Sequence, residues 1–145
     1  MTKEEILHKE IDLIQACINR MAHNSFLLKG WAISLVAVVL ALAKEKIDFS
    51  LISLILLIPL LSFWYLDAFF LRTEKMYRKM YEWVISNRKT SDERLYELNP
   101  KKYENEVEST FAVIKSKTLR AFYGIPTLIL LGIVLYNLFP NLFNC

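Results

Sequence analysis

One heptad pattern runs along the first third of the chain and passes from a polar stretch into an apolar one. Its positions alternate in steps of four and three residues, which is the spacing of one face of a long helix. They are Leu7, Ile11, Ile14, Ile18, Met21, Ser25, Leu28, Ala32, Leu35, Val39 and Leu42. A helix over this stretch would be about 54 Å long, because each residue adds about 1.5 Å. We therefore expect a single rod that crosses a bilayer core of about 30 Å and still projects into water.

Three apolar blocks each approach or exceed the length of a membrane-spanning helix. They are residues 26–43, 49–71 and 121–139, and about 18 consecutive apolar residues are enough for a transmembrane candidate. The chain has 145 residues and is 54% hydrophobic, so a single membrane domain is expected. The sequence thus predicts an all-α integral membrane protein with three transmembrane helices.

Polar amphipathic segments extend the helices of these blocks. Residues 1–25 predict a helix that begins with capping-box spacing between Thr2 and Glu5. Residues 72–120 predict a further helical segment, in which the second rod continues to a turn near Asn87. We expect these extensions to form a helical bundle beside the membrane.

Two proline positions indicate where later helices begin and bend. Asn99 followed by Pro100 is typical of a helix start, since asparagine caps a helix and proline suits its first position. One apolar helical face is expected to lead from there toward the third span. Its residues are Tyr103, Val107, Phe111 and Ile114. Pro126 predicts a kink near the start of that span, because proline lacks a backbone donor.

Lysine and arginine residues lie almost entirely on one side of the predicted spans. Residues 1–29 and 72–120 contain sixteen of them, whereas the link at residues 44–50 contains two and the tail at residues 140–145 contains none. Short segments rich in these residues stay on the cytoplasmic side of a membrane. We therefore expect a multi-pass protein whose N-terminus is cytoplasmic and whose C-terminus lies outside.

Asp67 is a carboxylate near one end of the second apolar block, where a charge costs free energy. In an antiparallel hairpin Lys29 would lie at a similar depth, so we expect an ion pair between these two side chains. Arg72 is a second candidate partner. The alternative is that these residues form a polar ring around a conduction path, and the sequence leaves both interpretations open.

The polar part of the heptad face also has two interpretations. Its residues are Leu7, Ile11, Ile14, Ile18 and Met21. They would pack on the middle segment of the same chain or on another copy around an axis. Because such faces exceed what three helices of one chain need to bury, we expect a homo-oligomer with this face as its stripe of contact. A helix lying flat on lipid is less expected, since its polar face is not rich in cations.

The segment of residues 72–120 has a net charge of +4, from twelve basic and eight acidic residues. Cations beside a membrane generally orient the protein and contact anionic lipid. A second interpretation is a polyanion site for a nucleotide or a short single strand, where cations follow the phosphates and aromatic rings stack on the bases. The candidate residues are Arg78, Lys79, Arg88, Lys89, Lys101 and Lys102. No readout of duplex DNA is expected.

Motifs for catalysis and for cofactor binding are missing from the sequence. It has no glycine-rich phosphate loop, nucleophile elbow or paired cysteine motif. The two histidines, His8 and His23, and the two cysteines, Cys17 and Cys145, lack the spacing of metal ligands. We therefore expect a protein that is not an enzyme and needs no metal or cofactor.

Three stretches carry a family resemblance. They are RMAHNSFLLKGW at residues 20–31, FWYLDA at residues 63–68 and RTE at residues 72–74. On these residues the chain resembles a family of small bacterial membrane proteins. Its layout, a cytoplasmic helix before a transmembrane hairpin with further helix beyond, looks like that of the SLATT-type effectors of prokaryotic conflict systems. The third span is an addition to the usual two-span pattern.

The resemblance implies a function in the bacterial inner membrane. The membrane effector of the Hailong anti-phage system, a channel paired with a nucleotidyltransferase, is the kind of protein that it implies. We expect an oligomeric channel or pore-forming effector, gated through its cytoplasmic bundle by a nucleotidyltransferase, by the nucleotide or oligonucleotide product of that enzyme, or by another partner. Sparse polar residues in the spans favour an alternative, a scaffold that recruits a cytoplasmic partner and conducts nothing. Those residues are Ser34, Ser53, Ser62, Thr127 and Asn137.

Overall fold

The computed structural model describes residues 2–42 and 49–138. Within these ranges the chain forms helices, turns and loops and contains no strand, so the predicted all-α class is confirmed. Residues 44–48 of the predicted link and the predicted outer tail lie outside the described part, and the last two residues of the link, 49 and 50, belong to the second long helix. The last residue of the first apolar block and the last residue of the third also lie outside the described part.

Two long helices dominate the fold. α1 is Lys3–Leu42 and α2 is Phe49–Asn87. The predicted capping box begins α1, since the Thr2 N–H donates to Glu5 Oε2 at 2.9 Å and the Glu5 N–H donates to Thr2 Oγ1 at 3.3 Å. The rod predicted from heptad spacing is confirmed along the described length of α1, and α2 ends at the predicted turn.

The two helices pack antiparallel along their polar halves, which we define as residues 3–24 of α1 and residues 72–87 of α2. The core between them is a cluster of buried side chains from both helices and from the chain beyond α2. It contains Ile14, Ile18, Met21, Met76, Tyr77, Met80, Val84 and Tyr103. Fully burying one side chain of this kind contributes about 1.5–3 kcal/mol. These contacts therefore hold the helical hairpin together within one chain.

The chain after α2 forms short helical pieces before it forms another long one. They are a 3₁₀ turn at Pro100–Tyr103, α3 at Thr110–Ile114, α4 at Lys117–Leu119, a π-helical turn at Arg120–Gly124 and α5 at Ile125–Leu138. α4, the π-helical turn and α5 follow one another without a gap and form a third rod. A second core cluster joins this rod to α1 and α2. It contains Ala32, Leu60, Ala68, Val113, Leu119 and Tyr123.

The continuous helix expected to follow Asn99 is replaced by two separate pieces. Asn99 does cap a helix, because its Oδ1 accepts from the Lys101 N–H at 3.1 Å, but this 3₁₀ turn ends at Tyr103. Ser109 then caps α3 by accepting from the Ala112 N–H at 3.3 Å. Each cap starts a new helix, so the predicted face is broken: Tyr103 is buried, whereas Phe111 is 74% exposed.

An irregular turn lies just before Pro126, where the sequence predicts a kink. The π-helical turn Arg120–Gly124 ends two residues before this proline, and π-bulges are a usual cause of bends in helices. Thr127 adds a bond within the same helix, since its hydroxyl donates to the Tyr123 carbonyl at 2.7 Å.

Two helices of the described part are long and apolar enough to cross a membrane. They are Ser50–Asn87 and Lys117–Tyr136. They correspond to the second and third predicted spans, the former with its polar extension. The first span is predicted in the apolar part of α1, which runs to the end of the described residues at Leu42 and is not among these two helices.

Candidate functional site

A buried carboxylate joins the three rods. Asp67 of α2 is fully buried, and its Oδ1 accepts a hydrogen bond from the Ser25 hydroxyl of α1. Its Oδ2 lies 2.6 Å from Lys29 Nζ of α1 and 3.0 Å from the Tyr123 hydroxyl of the third rod. Lys29 Nζ also donates to Ser25 Oγ at 2.8 Å. We call these four residues the Asp67 cluster, and it contains the expected Lys29–Asp67 ion pair within one chain.

Helix geometry explains how the cluster forms. Ser25 and Lys29 are four residues apart, so they lie on the same face of α1, one turn apart. Tyr123 lies in the π-helical turn and stacks on Trp64 of α2 at a centroid distance of 6.1 Å. Trp64 Nε1 donates in turn to the Ile114 carbonyl at 3.1 Å. The aromatic pair therefore fixes the third rod against α2 beside the carboxylate.

Both oxygens of the Asp67 carboxylate have partners. A charge removed from water costs several kcal/mol unless a counter-charge and hydrogen bonds compensate it. Lys29 supplies the counter-charge, and its side chain is still 23% exposed, so its ammonium group lies at the edge of the buried region. This arrangement holds a charge pair in place where the three rods meet.

Arg72, the second candidate partner of Asp67, does not join this cluster. Its Nε donates to the Glu108 carbonyl at 3.0 Å and its Nη2 donates to the Glu104 carbonyl at 3.1 Å. Five residues along a helix correspond to a rotation of about 140°, so Arg72 leaves α2 on a different face from Asp67. The grouping of Arg72 with Lys29 and Asp67 is therefore corrected: Arg72 ties the loop before α3 to α2.

A second buried ion pair lies at the opposite end of the polar halves. Glu10 of α1 and Arg88, which follows α2, are both nearly fully buried. Arg88 Nε donates to Glu10 Oε2, and Arg88 Nη2 donates to Glu10 Oε1 at 2.9 Å. The Tyr96 N–H also donates to Glu10 Oε1 at 2.7 Å. This pairing closes the hairpin where α2 ends.

Arg88 also shapes the loop that follows it. Its Nη1 donates to the carbonyls of Ser91 at 3.1 Å and Glu93 at 2.7 Å, and its Nη2 donates to the carbonyl of Arg94 at 3.3 Å. The backbone is left-handed at Arg94 and Tyr96, with φ angles of 59° and 55°. All five donors of the guanidinium are thus used, and they hold a loop whose conformation is unfavourable for these residue types.

The second pair was not predicted from the sequence. Glu10 and Arg88 are 78 residues apart, and each lies in a stretch rich in other charges, so neither looks buried from sequence. In the structure the Trp83 ring lies beside this pair, 5.5 Å from the Arg88 guanidinium carbon and 5.2 Å from that of Arg94.

The six basic residues predicted to bind a polyanion do not form one free surface. Three of them pair with a neighbouring carboxylate: Arg78 with Glu74 at 2.7 Å, Lys79 with Glu82 at 2.8 Å and Lys102 with Glu97 at 2.6 Å. The hydrogen bond that Lys79 Nζ donates to the Glu82 carboxylate raises the pKa of Lys79. Lys89 and Lys101 are exposed. Arg88 is buried and committed to Glu10, so its place in a polyanion site is corrected.

The predicted oligomer stripe packs within the chain. Ile14, Ile18 and Met21 are buried against α2, and Leu7 packs at the edge of the same cluster. Ile11 is partly exposed. The buried residues of this face therefore pack on the middle segment of the same chain, which was the first of the two interpretations. Because α2 of the same chain already covers these side chains, they are not available for contact between copies.

A comparison of the chain with protein-family models, with curated proteins and with solved structures finds no match. Within residues 2–42 and 49–138, no group of three or more His, Cys, Asp or Glu side chains is placed to hold a metal ion.

Proposed function

We propose that this protein is an oligomeric membrane channel or pore-forming effector whose permeability is governed by its polar halves. The continuity of α1 and α2 is the observation that supports this most directly. Each helix runs without interruption from its polar half, past the Asp67 cluster, into apolar sequence. A change in the packing of the polar halves would therefore reach the membrane without passing through a flexible linker.

Three helices cross the membrane in this proposal. Two of them are apolar and long enough by themselves. α1 lies antiparallel to α2, with Lys29 on Asp67 and with Ala32 in the same core cluster as Leu60. A helix packed in this way shares the depth of its neighbour, so α1 crosses where α2 does. The positive-inside rule then places the N-terminus in the cytoplasm and the C-terminus outside.

A conduction path would lie between copies of the chain. In one chain the polar interior at Asp67 is filled by side chains that bond to one another. The outward faces of the apolar parts carry large exposed side chains such as Phe26, Ile58 and Leu128. Apolar surface of this extent suits contact with lipid or with further copies. The proposal therefore includes a homo-oligomer, held by these faces rather than by the heptad stripe.

The family resemblance supports a role in bacterial anti-phage defence, in the inner membrane. A nucleotidyltransferase, its nucleotide product or another partner would act on the polar halves. The exposed cations Lys89 and Lys101 are suited to phosphate contacts, and Arg78, Lys79 and Lys102 would exchange weak surface pairs for them. To raise the open fraction from 1% to 99%, a ligand must bind the open state more tightly than the closed state by about 5.5 kcal/mol. Several such phosphate contacts across copies would therefore have to act together.

Planar-bilayer recording of the purified protein is the direct test. We expect discrete conductance steps, which short oligonucleotides or the partner protein increase or suppress. In cells, expression of the protein alone should depolarise the membrane if the missing partner inhibits it. If the partner activates it, depolarisation should require both proteins. Silent bilayers and a normal membrane potential in both settings would overturn the channel proposal.

A second candidate is a non-conducting scaffold that recruits a cytoplasmic partner. The closed Asp67 cluster favours it, because a carboxylate whose oxygens are both bonded within one chain does not line a pore. Co-purification of a cytoplasmic protein with the intact chain, lost when the polar halves are altered and accompanied by no conductance, would support the scaffold.

A further inference from the structure

A groove on the third rod combines an apolar wall with a free cation. It is lined by Trp64, Arg120, Gly124, Ile125, Thr127 and Leu128. Its volume is about 310 Å³, which is at the lower end of the range of about 300–1,000 Å³ for small-ligand sites. The Thr127 hydroxyl donates to the Tyr123 carbonyl, so it is not free to bind a ligand. Apart from Arg120, the groove therefore offers a mainly apolar surface.

Arg120 stands at the polar rim of this groove. It is exposed, and it takes part in none of the ion pairs among the described residues. Lys117, three residues earlier, is also exposed and lies on the same helical face. The rim of the groove therefore carries one cation, Arg120, that no carboxylate of the described part neutralises, next to an apolar wall.

The wall of the groove is held in place before any ligand arrives. Trp64 is fixed by its hydrogen bond to the Ile114 carbonyl and by its stacking on Tyr123. Gly124 leaves the space open, since a Cβ added there would meet only Trp64 Cη2, at 3.6 Å. A preformed groove loses little entropy when an extended apolar chain enters it.

We propose that this groove binds an anionic phospholipid, with the phosphate group on Arg120 and one acyl chain along Trp64, Gly124 and Leu128. Charge complementarity selects this occupant, because the rim offers a cation and the groove offers apolar surface. The inference rests on the membrane location in the proposed function. Trp64 stacks on Tyr123, whose hydroxyl bonds to Asp67, so the bound lipid lies close to the Asp67 cluster and is placed to influence it.

Native mass spectrometry in mild detergent tests the charge at the rim. The probes are phosphatidylglycerol and phosphatidylcholine with the same acyl chains. We expect a preference for phosphatidylglycerol that Arg120→Gln lowers about fivefold, the effect of one cation at an anionic surface. Arg120→Lys should retain most of it. The matched control is Arg20→Gln, which removes the same charge from an exposed position of α1 away from the groove.

Quenching of tryptophan fluorescence by brominated phosphatidylglycerol tests the groove itself. In the Trp31→Phe, Trp83→Phe background Trp64 is the only reporter, and it should be quenched more strongly than by brominated phosphatidylcholine. Gly124→Leu should reduce the quenching by filling the groove, with a thermal melt as the check on folding.

Equal loss of preference in Arg120→Gln and Arg20→Gln would overturn the proposal in favour of diffuse attraction. A Gly124→Leu variant that changes the oligomer distribution and leaves the lipid preference intact would instead assign the groove to a second copy of the chain. Neither the lipid preference nor the fluorescence quenching depends on conductance. The lipid site and the channel proposal can therefore be overturned separately.

Discussion

Asp67 shows how a single charged side chain determines the packing of three helices. Its carboxylate is reached by Lys29 and Ser25 from α1 and by Tyr123 from the third rod. In a region of low dielectric each of these bonds is stronger than it would be in water, and each group left without its partner is costly. The cluster is therefore expected to contribute more to the specific arrangement of the rods than to net stability.

Asp67→Asn removes the negative charge and leaves the Lys29 ammonium without its counter-ion. We expect a loss of about 2–3 kcal/mol in the free energy of unfolding, below the range of about 3–5 kcal/mol for fully buried pairs because Lys29 is 23% exposed. Thermal unfolding in mild detergent measures it.

Tyr123→Phe is the matched control, since it removes only the 3.0 Å hydrogen bond, worth about 1 kcal/mol. A double variant of Asp67→Asn with Lys29→Met should regain part of the loss, because no unpaired charge remains. Unchanged melting in Asp67→Asn would contradict a structural pair and would favour a pore ring.

The two ionic clusters differ in how far the sequence could predict them. Lys29 and Asp67 each interrupt an apolar block, so burial, depth and opposite charge together suggest a pair. Glu10 and Arg88 lie in polar stretches where many acids and bases are equally good partners. Tyr123 was also missed, because its position on the Asp67 side depends on the π-helical turn, for which the sequence has no pattern.

Among the elements, hydrophobic spacing predicted the long helices well and their partners poorly. A heptad pattern predicts that a helix buries one face, but it does not predict which helix covers that face. In the structure that partner is α2 of the same chain. The pieces after Asn87 were predicted less well, because capping by Asn99 and Ser109 restarts the helix while the apolar spacing suggests continuity.

The packing of the heptad face within the chain has a measurable consequence. Ile18→Ala should lower the free energy of unfolding by about 2–4 kcal/mol, because it leaves a cavity in the core between α1 and α2. It should leave the distribution of oligomers in native mass spectra unchanged. Leu13→Ala is the matched control, since Leu13 is 42% exposed on the same helix and should change stability by about 0.5 kcal/mol or less. Dissociation of an oligomer by Ile18→Ala without loss of monomer stability would restore the stripe as an interface between copies.

At the scale of the whole molecule, contacts at both ends of the polar halves connect the depth of α1 to that of α2. Glu10 contacts Arg88 near one end and Lys29 contacts Asp67 near the other, so α1 cannot remain outside a membrane that α2 crosses unless both pairs break. Lys3 Nζ also lies 4.0 Å from Asp92 Oδ1. The start of the chain and the loop after α2 are therefore expected on one side of the membrane.

Labelling of introduced cysteines with a membrane-impermeant maleimide tests this arrangement. In a Cys17→Ser, Cys145→Ser background, Glu4→Cys and Lys89→Cys use exposed positions in the polar part and should both be protected in intact spheroplasts. Both should react once the membrane is permeabilised. A chain in which Cys145 is kept and Cys17 is replaced should react without permeabilisation, because the three spans of the proposal would place the two ends of the chain on opposite sides. If only α2 and the third rod crossed, the N-terminus would lie opposite the loop after α2. Labelling of Glu4→Cys in intact spheroplasts with protection of Lys89→Cys would therefore contradict three spans, and would also require the Glu10–Arg88 and Lys29–Asp67 contacts to be absent in the membrane.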